Sequence, residues 1–160
     1  MSVRNTVKSI QDIMRQDTGV DGDAQRISQL CWMFFLKIID DQDQELEVLN
    51  VEYRSPIADR FQWRTWAADP EGITGDTLMA FVNNELFPAL KALPSPGAGN
   101  RSRVVRDVFE DAYNYMKSGQ LMRQVINASP VMPSGLAAHV RHCRGFGIGD
   151  RYFAFRSSSS

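Results

Sequence analysis

Leu30-Cys31-Trp32-Met33-Phe34-Phe35-Leu36-Lys37-Ile38-Ile39, followed at once by Asp40-Asp41, is the stretch on which the fold turns. At helical spacing Ile27, Leu30, Cys31, Phe34, Phe35, Ile38 and Ile39 form one face, and Trp32, Met33 and Leu36 fill the opposite one. A helix that is apolar all round is either central in a core or covered by a partner. The run is about half the roughly 20 residues that a membrane-spanning helix needs, and Lys37 interrupts it. A helix over about 24–46 is therefore expected. Trp32, Met33 and Leu36 are candidates for a partner contact, although an exposed Trp-Met-Leu face invites aggregation, which favours the core.

Working outward, Val3, Val7, Ile10, Ile13 and Met14 give a first amphipathic helix over about 2–17, and Gly19 and Gly22 bracket a turn. Asp21 or Asp23 is placed to cap the next helix. Beyond the central helix, Asp40, Asp41, Asp43, Glu45 and Glu47 form an acidic collar, expected to be a solvated helix end. Residues 53–75 have no sustained period. Phe61, Trp63 and Trp66 lie there among Arg60 and Arg64; these aromatics either pin an irregular loop to the core or stack on nucleic-acid bases. A third helix from about 74–77 to 93 carries Pro88, which should kink or split it. A fourth over about 101–118 carries Val104, Val105, Val108, Phe109, Ala112, Tyr113 and Met116 as its stripe, with Gly119 as a stop and a further short turn over 121–127.

The expected architecture is all-α: a bundle of about four to five helices with an irregular aromatic-rich insertion. Residues 1–127 read as one helical domain. Residues 128–160 hold two prolines, four glycines and four serines at the end, without helical period, and are expected to be a poorly ordered tail. No apolar signal core opens the chain, so a cytoplasmic protein with no membrane contact is expected.

Charge is unevenly placed. Residues 1–100 carry 9 Lys and Arg against 15 Asp and Glu, whereas residues 101–160 carry 9 against 4, within a net of −1. Arg101, Arg103 and Arg106 cluster where a helix should begin, the unfavourable end of its dipole. An external anion would offset that cost, as would solvent or the acidic collar. Arg101, Arg103, Arg106, Lys117 and Arg123, with Arg60 and Arg64 behind them, are the candidates for neutralising DNA phosphates. Catalytic patterns are scarce: Gly145, Gly147 and Gly149 follow no clear strand, and His139, His142 and Cys143 lack a second ligand pair at zinc-site spacing. No catalytic or metal-binding residue is expected. Pairing of Cys31 with Cys143 is open but not expected.

Three segments carry a family resemblance. They are the central stretch from Leu30 to Asp41, the string Trp63-Arg64-Thr65-Trp66-Ala67-Ala68-Asp69-Pro70-Glu71-Gly72-Ile73-Thr74-Gly75-Asp76, and Phe81-Val82-Asn83-Asn84-Glu85-Leu86-Phe87-Pro88. From Val3 to Asn127 the chain resembles the N-terminal helical domain of the modification subunit of type I restriction–modification systems. The resemblance implies a domain that precedes an S-adenosylmethionine-dependent adenine-N6 DNA methyltransferase domain. It also implies partners: a specificity subunit, a second modification subunit, a restriction subunit and double-stranded DNA. No Asn-Pro occurs, so the Asn-Pro-Pro-aromatic motif for a flipped adenine is missing. The expectation is an accessory domain for assembly and DNA clamping, with no cofactor and no activity of its own. The alternatives are a stand-alone interaction module with no DNA role, or an enzyme in its own right. Residues 128–160 do not resemble the family's continuation, which suggests a truncation, a frame change or a natural variant tail.

Overall fold

The computed structural model describes residues 3–94 and 99–129. The helices are α1 (Val3–Met14), α2 (Gly22–Leu49), α3 (Trp63–Trp66), α4 (Gly75–Phe81), α5 (Phe87–Lys91), α6 (Gly99–Glu110) and α7 (Gly119–Ala128). A 3-10 turn at Asp59–Phe61 precedes α3, and a π segment, Val82–Leu86, joins α4 to α5. The fold is all-α, with no strand among the described residues. None of these helices is long and apolar enough to cross a membrane. The expected loose tail, the His139, His142, Cys143 cluster and any Cys31–Cys143 pairing fall outside the described residues.

α2 is the axis of the core. Leu30, Cys31, Trp32, Met33, Phe34, Phe35 and Leu36 are all buried in succession, with Ile39 beyond them. Both faces of the helix are thus covered within this one chain. α1 packs on α7, α7 on α4, α6 on α5, and α3 on α2. Trp32 sets its ring edge-on to Phe87 at 4.9 Å, and Phe87 meets Phe109 edge-on at 5.2 Å, which locks α2, α5 and α6 together. The insertion builds a second aromatic cluster, with Trp63 on Trp66 at 5.3 Å and Trp66 on Phe81 at 5.5 Å. Trp66 Nε1 donates to the Phe61 carbonyl at 3.1 Å. The insertion is pinned to the core, and Trp63 and Trp66 offer no stacking face to an outside base.

Pro88 splits the third expected helix in a specific way. The Phe87 amide reaches back to the Val82 carbonyl, one residue further than in an α-helix. Proline has no N–H to continue the ladder, and its ring would crowd the carbonyl four residues back, so the wider turn accommodates it.

The fourth expected helix is shorter than the apolar stripe suggests, ending at Glu110. Residues 115–118 spend their amides on side chains from elsewhere instead of on helical carbonyls. Tyr115 N donates to Gln29 Oε1 at 2.9 Å, Met116 N to Asn114 Oδ1 at 3.2 Å, and Lys117 N and Ser118 N to the Asp17 carboxylate at 3.0 and 2.9 Å. Asp17 also accepts from Gly19 N at 2.8 Å, so one buried carboxylate ties the α1–α2 turn to the α6–α7 link. Ser118 then caps α7 by accepting from Leu121 N. Gly119 opens this helix instead of stopping the previous one. A Cβ there would lie 1.8 Å from the Gly75 carbonyl oxygen, so only glycine lets α7 start against α4. At the start of α2 no Asp side chain caps; Gln25 Oε1 instead accepts from Asp21 N at 2.6 Å, while Asp23 pairs with Arg26.

Candidate functional site

The seven cations selected from sequence divide by what lies opposite them. Arg101 is turned inward: its Nη2 donates to Asp43 Oδ1 at 2.6 Å and to the Ile39 carbonyl at 3.3 Å. Tyr53 and Ser55 donate to the same Asp43 carboxylate at 2.7 and 2.6 Å. Burial, with the hydrogen bond to Asp43, pushes the Tyr53 phenol well above its ordinary value. Arg64 forks to Asp40 and Glu47, both at 2.8 Å. Burial alone would lower its pKa, but the hydrogen bonds to Glu47 and Asp40 raise it. The acidic collar is therefore not simply a solvated helix end. Asp40 and Asp43 are 3% and 1% exposed and hold Arg64 and Arg101, whereas Asp41 and Glu45 do face solvent.

Arg123 is the clearest departure from the phosphate reading. Its guanidinium donates five hydrogen bonds to carbonyls: Nε and Nη2 to Ile73 at 2.9 and 2.6 Å, Nη1 to Ala67 and Asp69 at 3.1 Å each, and Nη2 to Trp66 at 3.1 Å. Desolvation pushes its pKa down, with Asp69 opposing. At 6% exposure it is the peg around which the 66–73 loop wraps. Arg60 lies against the Phe61 and Phe81 rings and pairs with Glu85.

Arg60, 64% exposed despite its Glu85 pairing, remains outward with Arg103, Arg106 and Lys117. Arg103 is 68% exposed with only a 3.8 Å contact to Asp107, and Arg106 is 34% exposed with a 3.7 Å contact to the same residue. Lys117 is exposed on the α6–α7 link.

The partner-contact candidates Trp32, Met33 and Leu36 are 0%, 0% and 1% exposed, so none is presented to another chain from this fold. The residues that do present apolar surface are Val48, Leu49 and Val51, each 83% exposed at the far end of α2. Sequence reading passed over them because the expected helix stopped at about 46. The signal was the aliphatics recurring inside Glu45-Leu46-Glu47-Val48-Leu49-Asn50-Val51-Glu52.

The family model of the HsdM N-terminal domain matches residues 3–128. The chain belongs to the HsdM N-terminal domain family. It is 59% identical over 128 residues to the type I restriction enzyme EcoEI methylase subunit of Escherichia coli, covering 79% of this chain and 26% of that protein. Its fold is similar to the crystal structure of a modification subunit assigned to a type I restriction enzyme of Vibrio vulnificus YJ016. There the TM-score is 0.78 at 31% identity, over 96% of this chain and 34% of that one. A structure reported for complex assembly and conformational transition of the type I R-M system matches at TM-score 0.72 and 25% identity, over 86% of this chain and 27% of that one. The chain thus spans about a quarter to a third of the length of these relatives.

Among the described residues no three His, Cys, Asp or Glu are grouped to hold a metal ion. Among these residues no strand feeds a glycine turn into a helix.

Proposed function

We propose that this chain acts as the helical accessory domain of a type I modification subunit, joining other subunits and gripping DNA by its backbone while methyl transfer is carried out elsewhere. The observation that carries this reading is the match of residues 3–128 to the HsdM N-terminal domain, supported by the 59% identity to a methylase subunit. The partners are a specificity subunit, a second modification subunit and a restriction subunit. S-adenosylmethionine and adenine-N6 chemistry belong, in this reading, to a separate methyltransferase domain in a cytoplasmic complex.

The exposed surface supports a division of labour. Val48, Leu49 and Val51 supply apolar area of the kind that subunit contacts bury. Arg103 and Arg106, three residues apart on α6, share one face and offer outward cations to duplex phosphates.

Binding of the 160-residue chain to a fluorescent duplex, followed against salt, tests the DNA half. Replacing both Arg103 and Arg106 by Gln should reduce the slope of log affinity against log salt by about 2, near 0.9 for each phosphate no longer neutralised. Duplex binding that is absent, or indifferent to this change, favours the stand-alone interaction module. That alternative draws support from the three of seven candidate cations already engaged inside the fold, Arg64, Arg101 and Arg123.

A further inference from the structure

The non-helical link between α6 and α7 forms one wall of a groove of about 580 Å³. Asn83, Phe87 and Lys91 stand on one side, and Tyr113, Tyr115 and Lys117 on the other. The Tyr113 ring is 64% exposed and meets Tyr115 edge-on at 4.9 Å between centroids. The end of the helix at Glu110 is what puts it there; the apolar stripe would have buried it. Lys91 sits over the Phe87 ring, and both lysines are exposed. The lining holds two lysines and no carboxylate. The neighbouring groove of about 660 Å³ differs in carrying Asp76 and Glu85 beside Arg60, so only the first groove is electrostatically suited to a polyanion.

A chain of hydrogen bonds sets the polarity of the groove floor. The Met116 amide can only donate, so Asn114 turns its Oδ1 toward it at 3.2 Å. The Tyr115 amide likewise orients Gln29, whose Nε2 then donates to the same Asn114 Oδ1 at 2.8 Å. Asn114 must therefore present Nδ2 to its other neighbour, and it donates to Asn83 Oδ1 at 2.9 Å. Asn83, exposed at the groove, has one lone pair of its Oδ1 engaged from within. Its Nδ2 has no protein acceptor among the described residues, so the backbone dictates that the groove offers a donor.

We infer that this groove binds an unpaired DNA strand. A base stacks on Tyr113, an acceptor on its edge accepts from Asn83 Nδ2, and Lys91 and Lys117 take the flanking phosphates. An exposed aromatic between cations is the arrangement by which proteins hold single strands without needing duplex grooves. Every base carries an acceptor that this donor can meet, a carbonyl oxygen or a ring nitrogen such as adenine N7, so the groove holds a strand without selecting its sequence. The inference rests on the reading that this domain meets DNA, and assigns that contact a second, distinct place and strand state.

The test uses the full 160-residue chain and fluorescein-labelled oligothymidylate, oligoadenylate and duplex, read by anisotropy. Oligothymidylate and oligoadenylate should both bind, and unlabelled duplex should not displace them. Tyr113→Ala should weaken oligothymidylate binding about tenfold, while Tyr113→Phe, which keeps the ring, should not. Lys91→Gln and Lys117→Gln should each reduce the salt slope by about 0.7. Asn83→Asp, which replaces the donor by a carboxylate, should weaken binding of both oligonucleotides. Circular dichroism of each variant establishes that it is folded; these side chains are exposed, and Tyr113→Phe serves as the conservative control. Displacement by unlabelled duplex, indifference to Tyr113→Ala, or equally good displacement by an acidic peptide overturns the inference. Retained oligothymidylate binding with no duplex binding overturns the duplex reading of α6 and leaves the groove standing.

Discussion

Replacing Arg123 separates two roles that a cation can play in this domain. If it is the peg of the 66–73 loop, Arg123→Ala removes the donor for five hydrogen bonds to the carbonyls of Trp66, Ala67, Asp69 and Ile73. A hydrogen bond from a charged donor contributes about 1.5–3 kcal/mol net, and a buried acceptor left unpaired costs about 1–3 kcal/mol. The five bonds share one guanidinium and four carbonyls, so they do not add, and water can enter where the Arg leaves. An expected destabilisation of about 3–4 kcal/mol follows, a large part of a typical total of roughly 5–15 kcal/mol. Arg123→Lys keeps the charge but replaces a rigid fork by a point donor that cannot reach all four carbonyls. It should cost about 2 kcal/mol, the middle of the range for one charged hydrogen bond. Urea melts of wild type and both variants, compared at a common slope, give these values. Both variants within about 0.5 kcal/mol of wild type, the range of an ordinary surface substitution, together with weakened duplex binding, would refute the argument and return Arg123 to the phosphate contacts.

Trp32→Ala should destabilise the domain by about 3–5 kcal/mol through removal of the aromatic and the cavity left between Phe87 and Phe109; a melt unchanged from wild type would show that Trp32 faces a partner. The Tyr53 phenol, its pKa raised by burial and by the Asp43 hydrogen bond, contributes stability that is complete below its ordinary value of 10.0 and is lost as pH rises through the raised one. Tyr53→Phe should accordingly flatten the fall in thermal midpoint above about pH 10, and an unaltered alkaline profile counts against the pairing.

The apolar periods of α1, α2 and α7 lie within single helical segments, which is why the all-α class and the central position of α2 were readable from residue spacing. Spacing was less informative where the backbone changes direction. Ala112, Tyr113 and Met116 continue the stripe of α6, yet Glu110 is its last helical residue. What ends it is distant in sequence, for Gln29 and Asp17 supply acceptors 86 and 100 residues away. No local window contains that competition. The same holds for Val48, Leu49 and Val51, whose exposure depends on what fails to pack over the end of α2.

From residue order alone came the helical class and the family, because propensity, period and the 63–76 string are properties of neighbouring residues. Which cations face outward was decided by the tertiary structure. Arg101 and Arg103 are two residues apart, yet one meets Asp43 at 2.6 Å and the other stands 68% exposed. Arg64 and Arg123 are likewise claimed by Asp40 and by the carbonyls of the 66–73 loop. A guanidinium pairs with whichever acceptor the fold brings within reach, and those acceptors come from chain segments 24 to 58 residues away.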